Sequence, residues 1–141
     1  MIFKIIVSLL ILLLAVTDVK SGGHTLDGVW TNELKSTMKL TEDLDGTIHG
    51  TYHTASPPQV KGPFTLVGRR TTLGESVSAL SFSVSWNNSI SGNWNSATSW
   101  SGVVRDDEIE TTWILTTVIE NPGLRWGDTK VGFNVFKRNA P

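Results

Sequence analysis

Seven uncharged polar side chains, Asn32, Ser36, Tyr52, Thr54, Ser96, Thr98 and Asn134, fall where a two-residue alternation points inward, and Trp86, Trp100 and Trp113 fall with them. Amides and hydroxyls give and take hydrogen bonds, and indole rings offer flat apolar walls. A small barrel filled only by packing would use Val, Ile and Leu at such positions. Left without a partner, each buried amide or hydroxyl costs about 1–3 kcal/mol. The set therefore needs a satisfier: one another, trapped water, a ligand, or solvent for those close to a rim. The inward columns as read contain no Asp, Glu, Lys, Arg or His. General acid–base catalysis needs a titrating group, and a nucleophilic Ser or Thr needs a base beside it. The expectation is a cavity that holds a neutral, polar-headed, partly apolar molecule without transforming it. A binding protein is favoured over an enzyme.

Other chemistry is weakly signalled. His49 and His53 stand four apart, but Gly50, Thr51 and Tyr52 between them read as strand, which separates the pair by about 13 Å along its outer face. No metal site is expected there. The chain has no cysteine, so disulfides, thiol nucleophiles and thiolate metal sites are excluded. Asn87-Asn88-Ser89 is a glycosylation sequon in a predicted turn, with Asn87 as acceptor.

These residues require strands to position them. Turn signals recur at short intervals (Asp27-Gly28, Asp45-Gly46, Gly62-Pro63, Ser91-Gly92, Asp106-Asp107, Asn121-Pro122-Gly123), and the segments between them alternate with period two. Leu80, Phe82, Val84 and Trp86 against Ser81, Ser83 and Ser85 is the cleanest case. The fold class is all-β, an eight-stranded antiparallel up-and-down β-barrel in which closure removes exposed edges. A two-sheet sandwich is the competing architecture. Eight strands enclose packed side chains or one small ligand.

The 141 residues suit one domain. Lys4 followed by an apolar run from Ile5 to Val16 has the form of a secretory signal and is too short for a spanning helix. Residues 1–21 are read as that signal, with cleavage between Thr17 and Gly23, and residues 22–141 as the barrel domain; a signal anchor is the alternative. Secretion to the extracellular space follows. Net charge is −1, and losing Lys4, Asp18 and Lys20 leaves the remainder slightly more acidic. Neither a nucleic-acid surface nor a polybasic membrane patch fits that balance. On the last strand Val131, Phe133 and Val135 face outward, opposite Gly132, Asn134 and Phe136. An apolar strip outside a closed barrel points to a second subunit. Trp126 joins no inward column and either covers the barrel mouth or serves a neighbouring subunit.

Gly28-Val29-Trp30-Thr31-Asn32-Glu33-Leu34, Ser36-Thr37, Gly50-Thr51-Tyr52, Val84-Ser85-Trp86, Ala97-Thr98-Ser99-Trp100-Ser101-Gly102, Thr112-Trp113-Ile114-Leu115 and Trp126 before Val131-Gly132 together resemble the avidin/streptavidin family, in order over nearly the whole mature chain. The resemblance implies a secreted, non-catalytic protein that binds biotin with high affinity. It matches Asn32, Ser36 and Tyr52 to donors on the ureido oxygen, and Thr54 and Asn134 to acceptors for the ureido N–H groups. Trp86, Trp100 and Trp113, with Leu34 and Leu115, match the box around the thiophane ring. Thr98 matches a hydroxyl near the sulfur, and Ser96 a contact to the valerate carboxylate. Trp126 matches the tryptophan lent to a neighbour's site, which implies a homotetramer or at least a functional dimer. The chain departs from the family at Lys35, where Gly is common, so a different first turn is expected. It departs also in the Ser56-Pro57-Pro58 loop and in an extra Trp94. The runner-up function is a carrier of another small hydrophobic ligand, as lipocalins are, although those chains are usually longer and carry a helix after the barrel. A secreted hydrolase lacks its acid and base, and a structural matrix protein leaves the polar columns unexplained.

Overall fold

The computed structural model describes residues 23–55, 62–88, 92–118 and 129–141, with the side chains of residue 88 and residues 92–94 outside that description. The leader read over residues 1–21, the Ser56-Pro57-Pro58 loop and Trp126 also lie outside the described residues. Eight strands follow one another: β1 (Gly28–Asn32), β2 (Thr37–Glu42), β3 (Thr47–His53), β4 (Phe64–Arg70), β5 (Val77–Asn88), β6 (Gly92–Arg105), β7 (Glu108–Thr117) and β8 (Thr129–Arg138). Each pairs antiparallel with the next, and β8 pairs back onto β1 through Trp30–Arg138, Thr31–Lys137 and Asn32–Phe136. The sheet is a closed barrel, which settles the choice against a sandwich. None of the described residues is helical.

Alternation places the side chains as the pattern requires. On β5, Leu80, Phe82 and Val84 are buried while Ser81 and Ser85 are exposed. The register of β5 and β6 shifts between Ser85 and Asn87, so that Trp94, Asn95 and Ser96 lie opposite Trp86 alone. This is a β-bulge, which bends the strand and re-aims its side chains. Asn87 is therefore not in a turn as its sequence suggests; it is an exposed residue near the end of β5, paired with Asn93.

One end of the interior is apolar and sealed. Trp30, Leu40, Ile48, Leu80, Val104, Ile109 and Phe136 fill it, none of them more than 3% exposed. The residues just before β1 fold under this layer. Leu26 is buried and its carbonyl accepts the Trp30 indole N–H at 2.9 Å. Arg138 spans the same end: its guanidinium donates to the carbonyls of Asp27 and Thr25, binds Asp107, and stacks 4.2 Å over the Trp30 ring.

Contrary to the sequence expectation, the inward columns are not all uncharged. The β4 column does not stop at Gly68 but continues to Arg70, whose side chain is 1% exposed and whose partner Glu42, 5% exposed, lies 3.1 Å away. Every arm of the guanidinium is used: Nε donates to Ser78 Oγ at 2.6 Å, Nη1 to the His24 carbonyl at 2.6 Å, and Nη2 to the Glu75 carbonyl. Glu42 in turn accepts the Leu26 N–H at 3.1 Å. A buried charge is tolerated only when paired and hydrogen-bonded in this way. Glu42→Gln would leave the guanidinium buried without a counter-charge. It is expected to destabilise the barrel by about 3 kcal/mol or more, read as a lowered midpoint in urea unfolding.

Candidate functional site

Towards the other end the interior turns polar, because several strands place an amide or hydroxyl at their inward position. Asn32 is the last residue of β1, and the chain after it turns around its side chain. Asn32 Oδ1 accepts the backbone N–H of Leu34 at 3.1 Å and of Ser36 at 2.9 Å. Lys35, expected to alter this turn, holds φ at 69°, a left-handed conformation that Gly adopts without steric cost. With its oxygen doubly held, the Asn32 amide has only its N–H end to offer. Ser36 Oγ likewise accepts the Ala55 N–H at 3.0 Å and keeps its own proton to give. Both side chains hydrogen-bond to the Tyr52 hydroxyl from β3. The donors converge in a dry place: Asn32 is 4% exposed, Ser36 2% and Tyr52 3%.

On β8, beside β1, the polarity reverses. Asn134 Nδ2 donates to Glu33 Oε1 at 2.6 Å, and its Oδ1 accepts the Trp100 indole N–H at 3.2 Å. A carbonyl oxygen has two lone pairs, so Oδ1 retains one. Glu33 Oε2 accepts the Val135 N–H at 3.0 Å. Partial burial raises the Glu33 pKa, but hydrogen bonds from the Val135 N–H, the Asn134 amide and its own backbone together outweigh that and hold the carboxyl below its ordinary value. Alternation places Glu33 outside with Val29 and Thr31. The structure ends β1 at Asn32, so Glu33 lies in the turn, free of the pleat, and reaches β8. The signal that could have exposed it is the turn itself, not the strand period.

Aromatic rings wall the space. Trp100 stacks on Tyr52 at 5.3 Å and on Phe82 at 5.0 Å, and Trp86 meets Tyr52 edge-on at 5.6 Å. The Trp86 indole N–H donates to Thr98 Oγ1 at 2.8 Å, which leaves Thr98 its own proton. Trp113 pairs with Trp100 across β6 and β7 and lies flat on Gly132, where an added Cβ would come within 2.4 Å of its ring. Among the described residues, Trp113 Nε1 is the buried side-chain nitrogen with no hydrogen-bond partner.

The structure thus brings together Asn32, Ser36, Tyr52, Trp86, Thr98, Trp100, Trp113 and Asn134. Thr54, just past β3, and Ser96 and Leu115 are half-buried around them. Leu34 does not join: it sits in the β1–β2 turn and is 56% exposed. His49 and His53 lie on the outside of β3, where His49 Nε2 meets Asp43 Oδ2 at 2.7 Å. The Arg70–Glu42 pair belongs to the sealed end.

Tyr52 is the chain's one tyrosine, so its environment can be read directly. Burial pushes its hydroxyl from 10.0 up to about 12, the Glu33 charge adds to that, and the Ser36 and Asn32 hydrogen bonds offset part of it. The hydroxyl is a donor throughout the physiological range. Above pH 10 an unfolded chain loses the phenolic proton while the folded one keeps it, so stability falls as pH rises from about 10 towards 12. Absorbance titration at alkaline pH is expected to show a single phenol ionising well above the ordinary value in the folded protein and at the ordinary value in urea.

Comparison with known proteins agrees with this architecture. A family model described as the avidin family matches residues 20–139. Avidin of Gallus gallus is 31% identical over 144 residues, covering 92% of this chain and 91% of that protein. The match spans all eight strands of the closed barrel and the polar cluster within it, and the chain belongs to the avidin family.

Proposed function

We propose that this protein is a secreted, non-catalytic binder that holds biotin with high affinity at the polar end of its barrel. The observation that carries the reading is the unequal polarity of the buried groups. Asn32 and Ser36 have their oxygens taken and are left as donors against the buried Tyr52 hydroxyl, while Asn134 keeps a free lone pair beside Trp100. A cyclic urea presents the complement, a carbonyl oxygen flanked by N–H groups. Convergent donors in a dry pocket polarise that carbonyl as an oxyanion hole would. In this reading Thr54 and Asn134 take the ureido N–H groups, and Trp86, Trp100 and Trp113, with Leu115, enclose the thiophane ring. Thr98 lies near the sulfur, and Ser96 meets the valerate carboxylate. A carrier for a featureless hydrophobic ligand would make no use of this arrangement of donors and acceptor.

Self-association belongs to the same reading. Val131 and Phe133 are 69% and 77% exposed on the outer face of β8, and Ile114, paired with Val131, is half exposed beside them. Such a strip on a barrel exterior suits a second copy of the chain, and Trp126 is proposed to close the neighbour's site in a tetramer. Asn87, exposed near the end of β5, is the proposed glycan acceptor. Secretion rests on the reading of residues 1–21 as a leader.

Titration with biotin, followed by tryptophan fluorescence and native mass, tests the reading. Quenching that saturates at one biotin per chain on a multimer is expected; an unchanged spectrum and no retention on a biotin matrix would refute it. Tyr52→Phe and Asn32→Ala should each weaken binding by about 1–3 kcal/mol, because each strands a desolvated partner. Trp126→Lys should lower affinity and subunit number together, and unchanged affinity would defeat the shared site.

A further inference from the structure

The amide of Asn134 could face the ligand with either end, and the two ends have opposite meaning: oxygen accepts, nitrogen donates. Something must choose. Glu33 meets both Asn134 Nδ2, at 2.6 Å, and the Val135 N–H, at 3.0 Å, using a different carboxylate oxygen for each. An ionised carboxylate only accepts, so it can be satisfied here only if the amide turns its NH2 towards Glu33. The carbonyl end is then left to the interior, where it already meets the Trp100 N–H. The Val135 contact pins the carboxylate to the backbone of the strand that carries Asn134, so the two cannot drift apart independently.

We propose that Glu33 is a positioning residue that fixes Asn134 as an acceptor and so selects ligands presenting an N–H at that point. The proposal rests on the biotin reading for the identity of its ligand, but not for its geometry. No neutral side chain can substitute. Glutamine has one oxygen for two N–H donors: if it serves Val135, its own NH2 faces Asn134 and forces that amide to reverse, presenting N–H to the ligand's N–H. If it serves Asn134 instead, its NH2 confronts the Val135 N–H. Changing the partner as well removes the conflict. An aspartate at 134 has no donor end, accepts from the glutamine NH2 and still offers an oxygen to the interior.

The test is a pair of variants, Glu33→Gln and Glu33→Gln/Asn134→Asp, each read two ways. Biotin dissociation is expected to quicken tenfold or more in Glu33→Gln and to return most of the way in the double variant. A structural role for Glu33 in the turn alone would not produce that rescue. In the ligand-free protein, the Asn134 side-chain amide, identified in the NMR spectrum by its loss in Asn134→Asp, should be shifted downfield and slow to exchange, and should lose both properties in Glu33→Gln. An unchanged dissociation rate in Glu33→Gln, a double variant no better than the single one, or an Asn134 amide indifferent to the substitution each overturns the assignment. The ligand-free spectrum decides it whether or not biotin binds, so a wild-type chain that ignores biotin overturns the proposed function alone.

Discussion

Two backbone N–H groups hold the Asn32 amide oxygen, and that pair of contacts sets the polarity of the site. An amide is symmetric in shape and opposite in chemistry, so without the turn that supplies Leu34 N–H and Ser36 N–H it could present either end. The same logic recurs around the cavity with different partners. Ala55 N–H occupies the Ser36 oxygen, and the Trp86 indole occupies that of Thr98. In each case a neighbour uses the acceptor and leaves a proton. Groups fixed in this way need no reorganisation when a ligand arrives, and preorganisation of that kind is what turns a few hydrogen bonds into strong binding.

Such a site functions only if water stays out, which makes the opposite end of the barrel part of its design. Leu26 and Trp30 close that end beneath an aliphatic layer, while Arg70 and Glu42 fasten the segment before β1 to the loop around Glu75. A buried ion pair contributes little net stability when compared with well-packed apolar groups. What it supplies here is placement: one guanidinium holds the carbonyls of His24 and Glu75, which belong to separate stretches of chain, against the same Ser78 hydroxyl. The apolar layer between the two ends then keeps that charge away from the neutral donors above.

Most of the barrel was legible in the sequence because a pleated strand shows its two faces to the reader as well as to the solvent. The columns of Trp30, Ile48, Trp100 and Phe136 need nothing beyond alternation, and they carry Asn32, Tyr52, Thr98 and Asn134 inward with them. Where the period ends, so does its authority. Alternation carries Leu34 past the last residue of β1 into a turn that leaves it largely exposed, and assigns Glu33 to an outer face it never joins. Arg70 departs the other way: the β4 column reads as ending one inward position early, since an arginine looks like the end of a buried strand until its partner, 28 residues away, is in view. Asn87 looked like a turn because asparagine pairs usually mark one, whereas the strand runs through them past a bulge that no local rule announces.

Trp113 shows what alternation leaves out even when it is right. Its inward position is plain in the sequence, and its flat seat follows from Gly132, the one residue that lets the ring lie against the β8 backbone. Yet its N–H is buried with no partner, while the indoles of Trp86 and Trp100 are both satisfied by groups that also belong to the cavity. These two states differ in their consequence for binding. A ligand that engages Thr98 or Asn134 joins hydrogen bonds that already exist, and gains by adding to them. The Trp113 N–H is enclosed, and its desolvation costs the folded protein about 1–3 kcal/mol. The three indoles are therefore not equivalent: two are hydrogen-bonded to polar groups of the cluster, and the third is held by packing against Gly132.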